Sequence, residues 1–346
     1  MGADAEPYDL LTIRRLLLAA FDSRSLRCLC YYQPRLKFIV DEFAPAHGLA
    51  DRVDVVIEAC EKRLLLDVLL AAVQAANPAQ YARFFPAELP QAPPPATHRP
   101  FEPQTVPIPA GAFLLGSNRR GDEQDHETPQ HTVTLPAFQM GRYPVTKAQY
   151  AAFVVAMGYP PPDDWVDGRV PPGQDDHPVV YVSWHDTQAY LAWLRQQTGR
   201  AYRLPTETEW EKAARGDDGR LWPWGNAWDP ARTNCKPAGP GGTTPVGHFS
   251  PSGDSPYGCS DMAGNALEWT GTLFGSDGLV PDFAYPYDPA DGREDLTAGD
   301  DVFRIQRGGS FISHVPFVRC TCRYWNLPHG KDWYCGFRVA LPTSTP

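Results

Sequence analysis

Apolar residues recur at helical spacing through the first quarter of the chain. Leu10, Ile13, Leu17 and Phe21 share one face, Val53, Val56, Ile57 and Cys60 a second, and Leu66, Leu69, Leu70 and Val73 a third. Asp22 and Ser23 are candidate N-caps for a helix through Leu26, Leu29 and Cys30, and Asn77-Pro78 ends the Leu66 to Ala76 run. Residues 6–85 are therefore expected to form a small all-α bundle. Its charged positions, among them Arg14, Arg15, Glu58, Glu61, Lys62 and Arg63, read as solvated faces.

The periodicity then stops. Pro86, Pro90, Pro93, Pro94, Pro95, Pro100 and Pro103 punctuate a stretch with almost no apolar pattern, which predicts a semi-rigid spacer over 86–104. Beyond it, alternation returns in segments such as His131-Thr-Val-Thr-Leu135, interleaved with Gly/Pro-rich loops. Helix starts are legible as capping boxes at Thr146-x-x-Gln149 and Thr206-x-x-Glu209, and more weakly at Ser183-x-x-Asp186. Behind them lie the apolar sets Tyr150/Phe153/Val154, Ala189/Tyr190/Trp193/Leu194 and Trp210/Ala213/Ala214. The expected class for 105–342 is α+β, with two or three helices packed on irregular antiparallel sheets.

Charge and cysteine content narrow the function. With 31 basic and 41 acidic residues the formal net charge is -10, and no Lys/Arg-rich run offers a nucleic acid the basic stripe it needs. No apolar window is long enough to span a bilayer, and MGADAEPYDLL lacks the pattern of a secretory leader, so a cytoplasmic protein with reduced cysteines is expected. Cys28-x-Cys30 and Cys320-x-Cys322 do not have finger spacing. His126, His131, His177 and His185 are scattered over separate elements, and Gly239-Pro-Gly-Gly-Thr-Thr244 lacks the Lys-Ser/Thr ending of a phosphate loop. Neither hydrolysis nor nucleotide binding is expected.

The segment Arg307 to Val339, RGGSFISHVPFVRCTCRYWNLPHGKDWYCGFRV, sets a frame of Gly, Arg and Phe around many aromatic and polar residues. Such a composition suits contact with a partner, because Trp and Tyr supply rigid amphipathic area. Phe311 also reads as a core residue, alongside Tyr324 and Phe337.

Eight strings occur in order: Ile108–Gly116, Tyr143–Tyr150, Pro178–Trp184, Tyr202–Glu211, Trp222–Asn226, Asp261–Trp269, Arg307–Ser310 and Gly336–Val339. Together they resemble the formylglycine-generating enzyme (sulfatase-modifying factor) family, whose fold is related to C-type lectins. In catalytic members a Cys-His-x-x-x-Cys arrangement soon after RGGS binds copper, and soft thiolates are what Cu(I) requires. Counting from Ser310, this chain has Ser313, His314 and Val318 at those places, so the resemblance implies no copper. Arg319-Cys320 and Arg323 match a structural Arg-Cys-x-x-Arg frame, with Cys322 beside it. The family's calcium loop would map onto Asp261, Gly264, Ala266 and Glu268 as a structural Ca²⁺ site; the residues alone equally permit a turn in which Asn265 and Glu268 bond backbone amides. No second calcium site is expected around Asn234 and Cys235.

The same RGGS…GFRV frame resembles the variable proteins of diversity-generating retroelements. That likeness implies a ligand surface of Phe311, Ser313, His314, Pro316, Phe317, Trp325, Asn326, His329, Lys331, Trp333 and Tyr334, within 307–339. Ile13–Phe21, Leu26-Arg-Cys-Leu29 and the Val53 to Leu70 pattern resemble the effector-associated, death-like domains of bacterial conflict and signalling proteins, which implies an effector protein as partner. The resulting expectation is a non-catalytic adaptor with a protein or other macromolecular ligand at its C-terminal face. A copper-dependent formylglycine-generating oxidase is the alternative, and a purely structural display protein a third reading.

Overall fold

A computed structural model describes residues 10–33, 35–44, 46–63, 65–77, 80, 81, 84, 99–118, 125–237 and 239–343. The chain divides into two compact units, 1–97 and 98–346. Among the described residues no helix is long and apolar enough to cross a membrane.

The first unit is helical, as its periodicity predicts: α1 Leu10–Ala20, α2 Ser23–Tyr32, α3 Leu49–Lys62 and α4 Leu66–Ala76. Asp22 caps α2, accepting from the amides of Arg24 (3.0 Å) and Ser25 (2.7 Å), while the Ser25 hydroxyl accepts from the Asp22 amide. Ile13, Leu17, Val53, Val56, Cys60, Leu69 and Val73 are buried together. Each large aliphatic side chain so covered contributes roughly 1.5–3 kcal/mol. Leu10 and Phe21 lie at the edge of this core, half-buried. A 3₁₀ turn at Lys37–Glu42 adds Ile39.

Residues 86–98 of the expected spacer lie outside the described residues. Residues 99–104 do not behave as a spacer, because Phe101 and Glu102 find partners on the second unit. The Phe101 ring lies 5.2 Å from that of Trp193, and Glu102 accepts from the Tyr202 hydroxyl (2.7 Å) and from Arg200 (2.8 Å).

The second unit has nine strands and three long helices among the described residues. Strands β1 Thr105–Ile108, β4 Phe138–Gly141 and β9 Ala340–Pro342 form one antiparallel sheet in the order β1-β4-β9, and β2 Gly111–Leu115 pairs with β3 His131–Leu135. The largest sheet has the order β7-β6-β5-β8, from β5 Leu267–Gly275, β6 Phe303–Arg307, β7 Arg323–Asn326 and β8 Cys335–Phe337. One pair departs from the antiparallel expectation: β8 runs parallel to β5, with Glu268 opposite Gly336. All nine residues of β5 are buried, the environment in which parallel pairing is found. Gly336 is required there, because a Cβ would stand 2.1 Å from the Val179 carbonyl oxygen.

The three capping boxes form as read. Helix α5 is Lys147–Met157 behind Thr146, α6 is Trp184–Thr198 behind Ser183, and α7 is Glu207–Arg215 behind Thr206. Gly158 and Gly199 end α5 and α6 in the left-handed conformation. Helices α5 and α6 bury Tyr150, Phe153, Tyr190 and Trp193 against Trp269 and Phe337.

The four arginines of the C-terminal frame are all buried and each meets a glutamate from another element. Arg307 bonds Glu211, which also holds Arg215; Arg319 bonds Glu127 (2.9 Å), Arg323 bonds Glu207 (2.8 and 2.9 Å), and Arg338 bonds Glu268. Buried pairs of this kind fix geometry, since removing either partner strands a charge in the interior. The frame is thereby tied at both ends, and the residues between Arg307 and Arg338 are presented from a fixed base.

Candidate functional site

The segment between Arg307 and Arg338 encloses a bowl of about 530 Å³. Six of the expected ligand positions line it: Ser313, His314, Phe317, Trp325, Asn326 and Tyr334. Left-handed Gly308 and Gly309 turn the chain sharply after β6, and a Cβ on Gly309 would lie 2.6 Å from the Phe317 carbonyl oxygen. The turn is closed by the Ser313 hydroxyl accepting from the Ser310 amide (3.0 Å), and a short 3₁₀ helix, Val315–Val318, forms the rim. Lys236 fastens that rim by donating its amide to the Ser313 carbonyl (2.9 Å).

The aromatic wall is held from behind. Trp325 stacks on Phe274 with centroids 3.9 Å apart, meets the edge of His126, and donates its indole N–H to the Gly278 carbonyl (2.8 Å). Tyr324 donates its hydroxyl to the Phe317 carbonyl (2.7 Å). Asn326 donates to Asp332 (2.8 Å), so the one carboxylate that lines the bowl among the described residues is already oriented. These contacts leave the bowl largely pre-formed, with polar groups at fixed points on an aromatic surface.

Leu267, Gln306, Ser310, Ile312, Tyr324 and Asp332 also line the bowl and were not among the expected ligand positions. Residues 310 and 312 flank the expected Phe311, and 332 and 334 flank Trp333. Ser310, Ile312 and Asp332 thus lie one residue from expected positions, in loop and turn backbone. Leu267 and Gln306 arrive from β5 and β6, far along the chain, with no local mark.

The remaining expected positions fall elsewhere. Phe311 is only 2% exposed, in edge-to-face contact with Trp333 at 5.1 Å, which corrects its placing on the ligand surface: a ring enclosed on that scale packs rather than displays. Pro316, His329 and Lys331 are exposed but do not line the bowl, and Lys331 pairs with Asp186 (2.9 Å). Trp333, 46% exposed, turns away into a separate cleft of about 230 Å³ that it lines with Phe311, Lys147, Asp164, His177 and Thr243.

No thiol reaches the bowl lining. Cys320 is buried in an apolar cluster with Trp210, Cys259 and Met262, and burial pushes its pKa up to about 12. Cys322 is buried, donating to the Pro316 carbonyl (3.2 Å), and burial raises its pKa further still. Cys335 is buried too and accepts from Gln306 (3.1 Å). Ser313 and Val318 both pack around Gly309, and neither side chain is a donor for Cu(I). The residues present do not fit copper.

Nor do Asp261, Gly264, Ala266 and Glu268 fit a resident Ca²⁺ in this arrangement. Both Glu268 oxygens are taken, one by Arg338 Nη2 (2.6 Å), the other by Arg338 Nε (2.6 Å) and the Trp210 indole (2.7 Å). The guanidinium also donates to the Gly141 and Ser260 carbonyls, so this cluster already contains its cation. Asp261 accepts from the Gly247 amide (2.7 Å), and burial lifts its pKa to about 6. Asn265 does bond a backbone amide, that of Thr244 (2.9 Å), as the turn reading expects, whereas Glu268 does not. Among the described residues no group of three or more His, Cys, Asp or Glu side chains could hold a metal ion.

Comparison with known proteins adds three findings. A family model described as the sulfatase-modifying factor enzyme 1-like domain matches residues 90–342. The formylglycine-generating enzyme of Bos taurus is 32% identical over 308 residues, covering 71% of this chain and 78% of that protein, and the inactive C-alpha-formylglycine-generating enzyme 2 of Mus musculus is 31% identical over 301 residues, covering 71% and 88%. Among solved structures, Treponema denticola variable protein 1 superposes with a TM-score of 0.55 at 22% identity, covering 69% of this chain and 94% of that one, a likeness of fold.

Proposed function

The chain belongs to the sulfatase-modifying factor enzyme 1-like family, and from that premise we propose that it is a non-catalytic, cytoplasmic adaptor. The bowl captures a protein or other macromolecular ligand, and the helical unit, residues 6–85, recruits an effector protein. The observation that carries this reading is the pair Ser313 and Val318 standing where the family's copper-binding members have cysteines, while Cys320 and Cys322 are buried outside the bowl lining. A pre-formed aromatic bowl of about 530 Å³ on a rigid base supports binding as its use. Apart from Leu267 and Gln306, its lining residues come from a segment whose frame resembles that of variable proteins, so the ligand is expected to be set chiefly by residues 310–334.

The test has two arms on the full chain. A cysteine-containing peptide is incubated with copper-treated protein and oxygen, then weighed by mass spectrometry; formation of formylglycine would overturn the reading. In the second arm, ligand capture by the wild type is compared with Phe317→Ala and Tyr334→Ala, and capture that survives both removes the bowl as the site. The oxidase alternative rests on the 32% identity to the Bos taurus enzyme, and the first arm decides it.

A further inference from the structure

Asp332 brings a carboxylate to the bowl, and among the described residues no lysine or arginine lines it. The residue is half-buried and held from several sides. Its backbone carbonyl accepts from the amides of Tyr181 (3.0 Å) and Cys335 (3.1 Å). Its Oδ2 accepts from Asn326 (2.8 Å), whose own side-chain oxygen accepts from the Leu327 amide (2.8 Å). Oδ1 accepts no hydrogen bond from any described residue. The adjacent Lys331 is engaged elsewhere, with its ammonium paired to Asp186 (2.9 Å).

The surroundings sort what could meet that oxygen. Phe317, Tyr324, Trp325 and Tyr334 line the same space, and aromatic faces attract a cation through the ring quadrupole. An anion would be repelled by Asp332. A neutral apolar group would cover Oδ1 and leave a charged oxygen without water or partner, which is costly. Outside the bowl the field has the same sign. The loop 276–302 adjoins the aromatic wall where the Gly278 carbonyl accepts the Trp325 indole N–H (2.8 Å). It carries eight acidic residues and a single basic one, Arg293, which is buried and bonded to Asp291 (2.6 Å). A basic segment of a partner is thus drawn toward this side of the molecule.

Resting on the proposed use of the bowl for capture, we infer that what enters it is the cationic side chain of a lysine or arginine from a protein partner. The charged head meets Asp332 Oδ1, and the methylene stem lies against the rings of Phe317 and Tyr334. Such a side chain satisfies both parts of the lining at once, because its stem is apolar and only its tip is charged.

The experiment is saturation-transfer NMR titration of the full chain with four capped pentapeptides, Gly-Gly-X-Gly-Gly, in which X is lysine, arginine, norleucine or glutamate. The expected result is binding of the lysine or arginine peptide about tenfold tighter than that of the norleucine peptide, with the glutamate peptide weakest. Asp332→Asn, which keeps an oxygen for Asn326, should abolish that preference, and near-ultraviolet circular dichroism checks that the variant is folded. In the wild type, raising sodium chloride to about 0.5 M should weaken the basic peptides and spare the norleucine one. A preference that persists in Asp332→Asn or is indifferent to salt overturns the inference, as does a preference for glutamate. Norleucine bound as well as lysine, and lost in Tyr334→Ala, overturns it while leaving the bowl a binding site. No transfer from any peptide also overturns it, and ligand capture by Phe317→Ala and Tyr334→Ala then judges the bowl separately.

Discussion

Arg338 and Glu268 meet in a two-pronged ion pair, Nε to Oε2 and Nη2 to Oε1 both at 2.6 Å, with neither side chain exposed to solvent. The pair joins β5 to the chain just beyond β8, across the parallel register that seats the bowl. Glu268→Ala would leave the guanidinium charged and uncompensated, and a loss of about 3–5 kcal/mol is expected in urea denaturation. Because the local cation is an arginine, millimolar Ca²⁺ or a chelator should leave the wild-type melting temperature unchanged. A calcium-dependent rise would show that Arg338 yields its place to the ion.

Trp325 and Trp333 should respond oppositely to truncation although both are rim tryptophans. Trp325 is stacked on Phe274 and hydrogen-bonded to Gly278, so Trp325→Ala is expected to cost about 3 kcal/mol or more. Trp333 is about half exposed, and Trp333→Ala should stay within about 1 kcal/mol of wild type. Thermal denaturation of the two variants side by side separates them.

Thiol labelling should follow burial rather than position in the frame. Cys28 is exposed, whereas Cys320, Cys322 and Cys335 are buried with raised pKa values. Iodoacetamide at pH 8 is therefore expected to modify Cys28 in the native protein and to reach the other three only after denaturation, because the thiolate is the nucleophile. Peptide mass spectrometry reads the order; prompt alkylation of Cys320 or Cys322 would contradict their burial.

One buried and one half-buried acid make stability depend on pH in an unusual direction. Burial raises the pKa of Asp261 to about 6 and that of Glu294 to about 7, above their ordinary values of 3.8 and 4.5. Between the ordinary and raised values the folded chain holds more protons than the unfolded one, so these groups lower stability as pH rises from about 4 to 7. Glu294→Gln, which keeps acceptor contacts with Thr272 and Tyr287, should raise stability at pH 8 by on the order of 1–3 kcal/mol and flatten that slope. An unchanged pH profile would remove Glu294 as its source.

Local chemistry was the most readable part of the chain. The boxes at Thr146, Ser183 and Thr206 depend on side chains three residues apart, and all three form. The apolar sets around Ile13, Val53 and Leu69 needed only helical periodicity, and they meet in one core. Long-range pairing was not legible in the same way. Nothing near Leu267 or Gln306 announces that β5 and β6 carry them to the bowl, and nothing in the Cys335 to Phe337 run announces a parallel neighbour. Phe311 and Trp333 fall in the expected ligand surface, and Phe311 equally in the expected core, because aromatic character alone does not say toward which side of a segment a ring turns. The calcium-loop pattern shows the same limit: its oxygens are visible in sequence, but the guanidinium that meets those of Glu268 comes from Arg338, seventy positions away.

The partition shared by bowl and cleft has a consequence for how this surface could be tailored. Ser310, Ile312, Asp332 and Tyr334 line the bowl and Phe311 and Trp333 the cleft, but the Tyr334 and Trp333 rings meet edge-on at 5.8 Å, so a change at either is felt in both recesses. Remodelling this short stretch of polypeptide therefore couples its two sides at the Trp333 and Tyr334 rings.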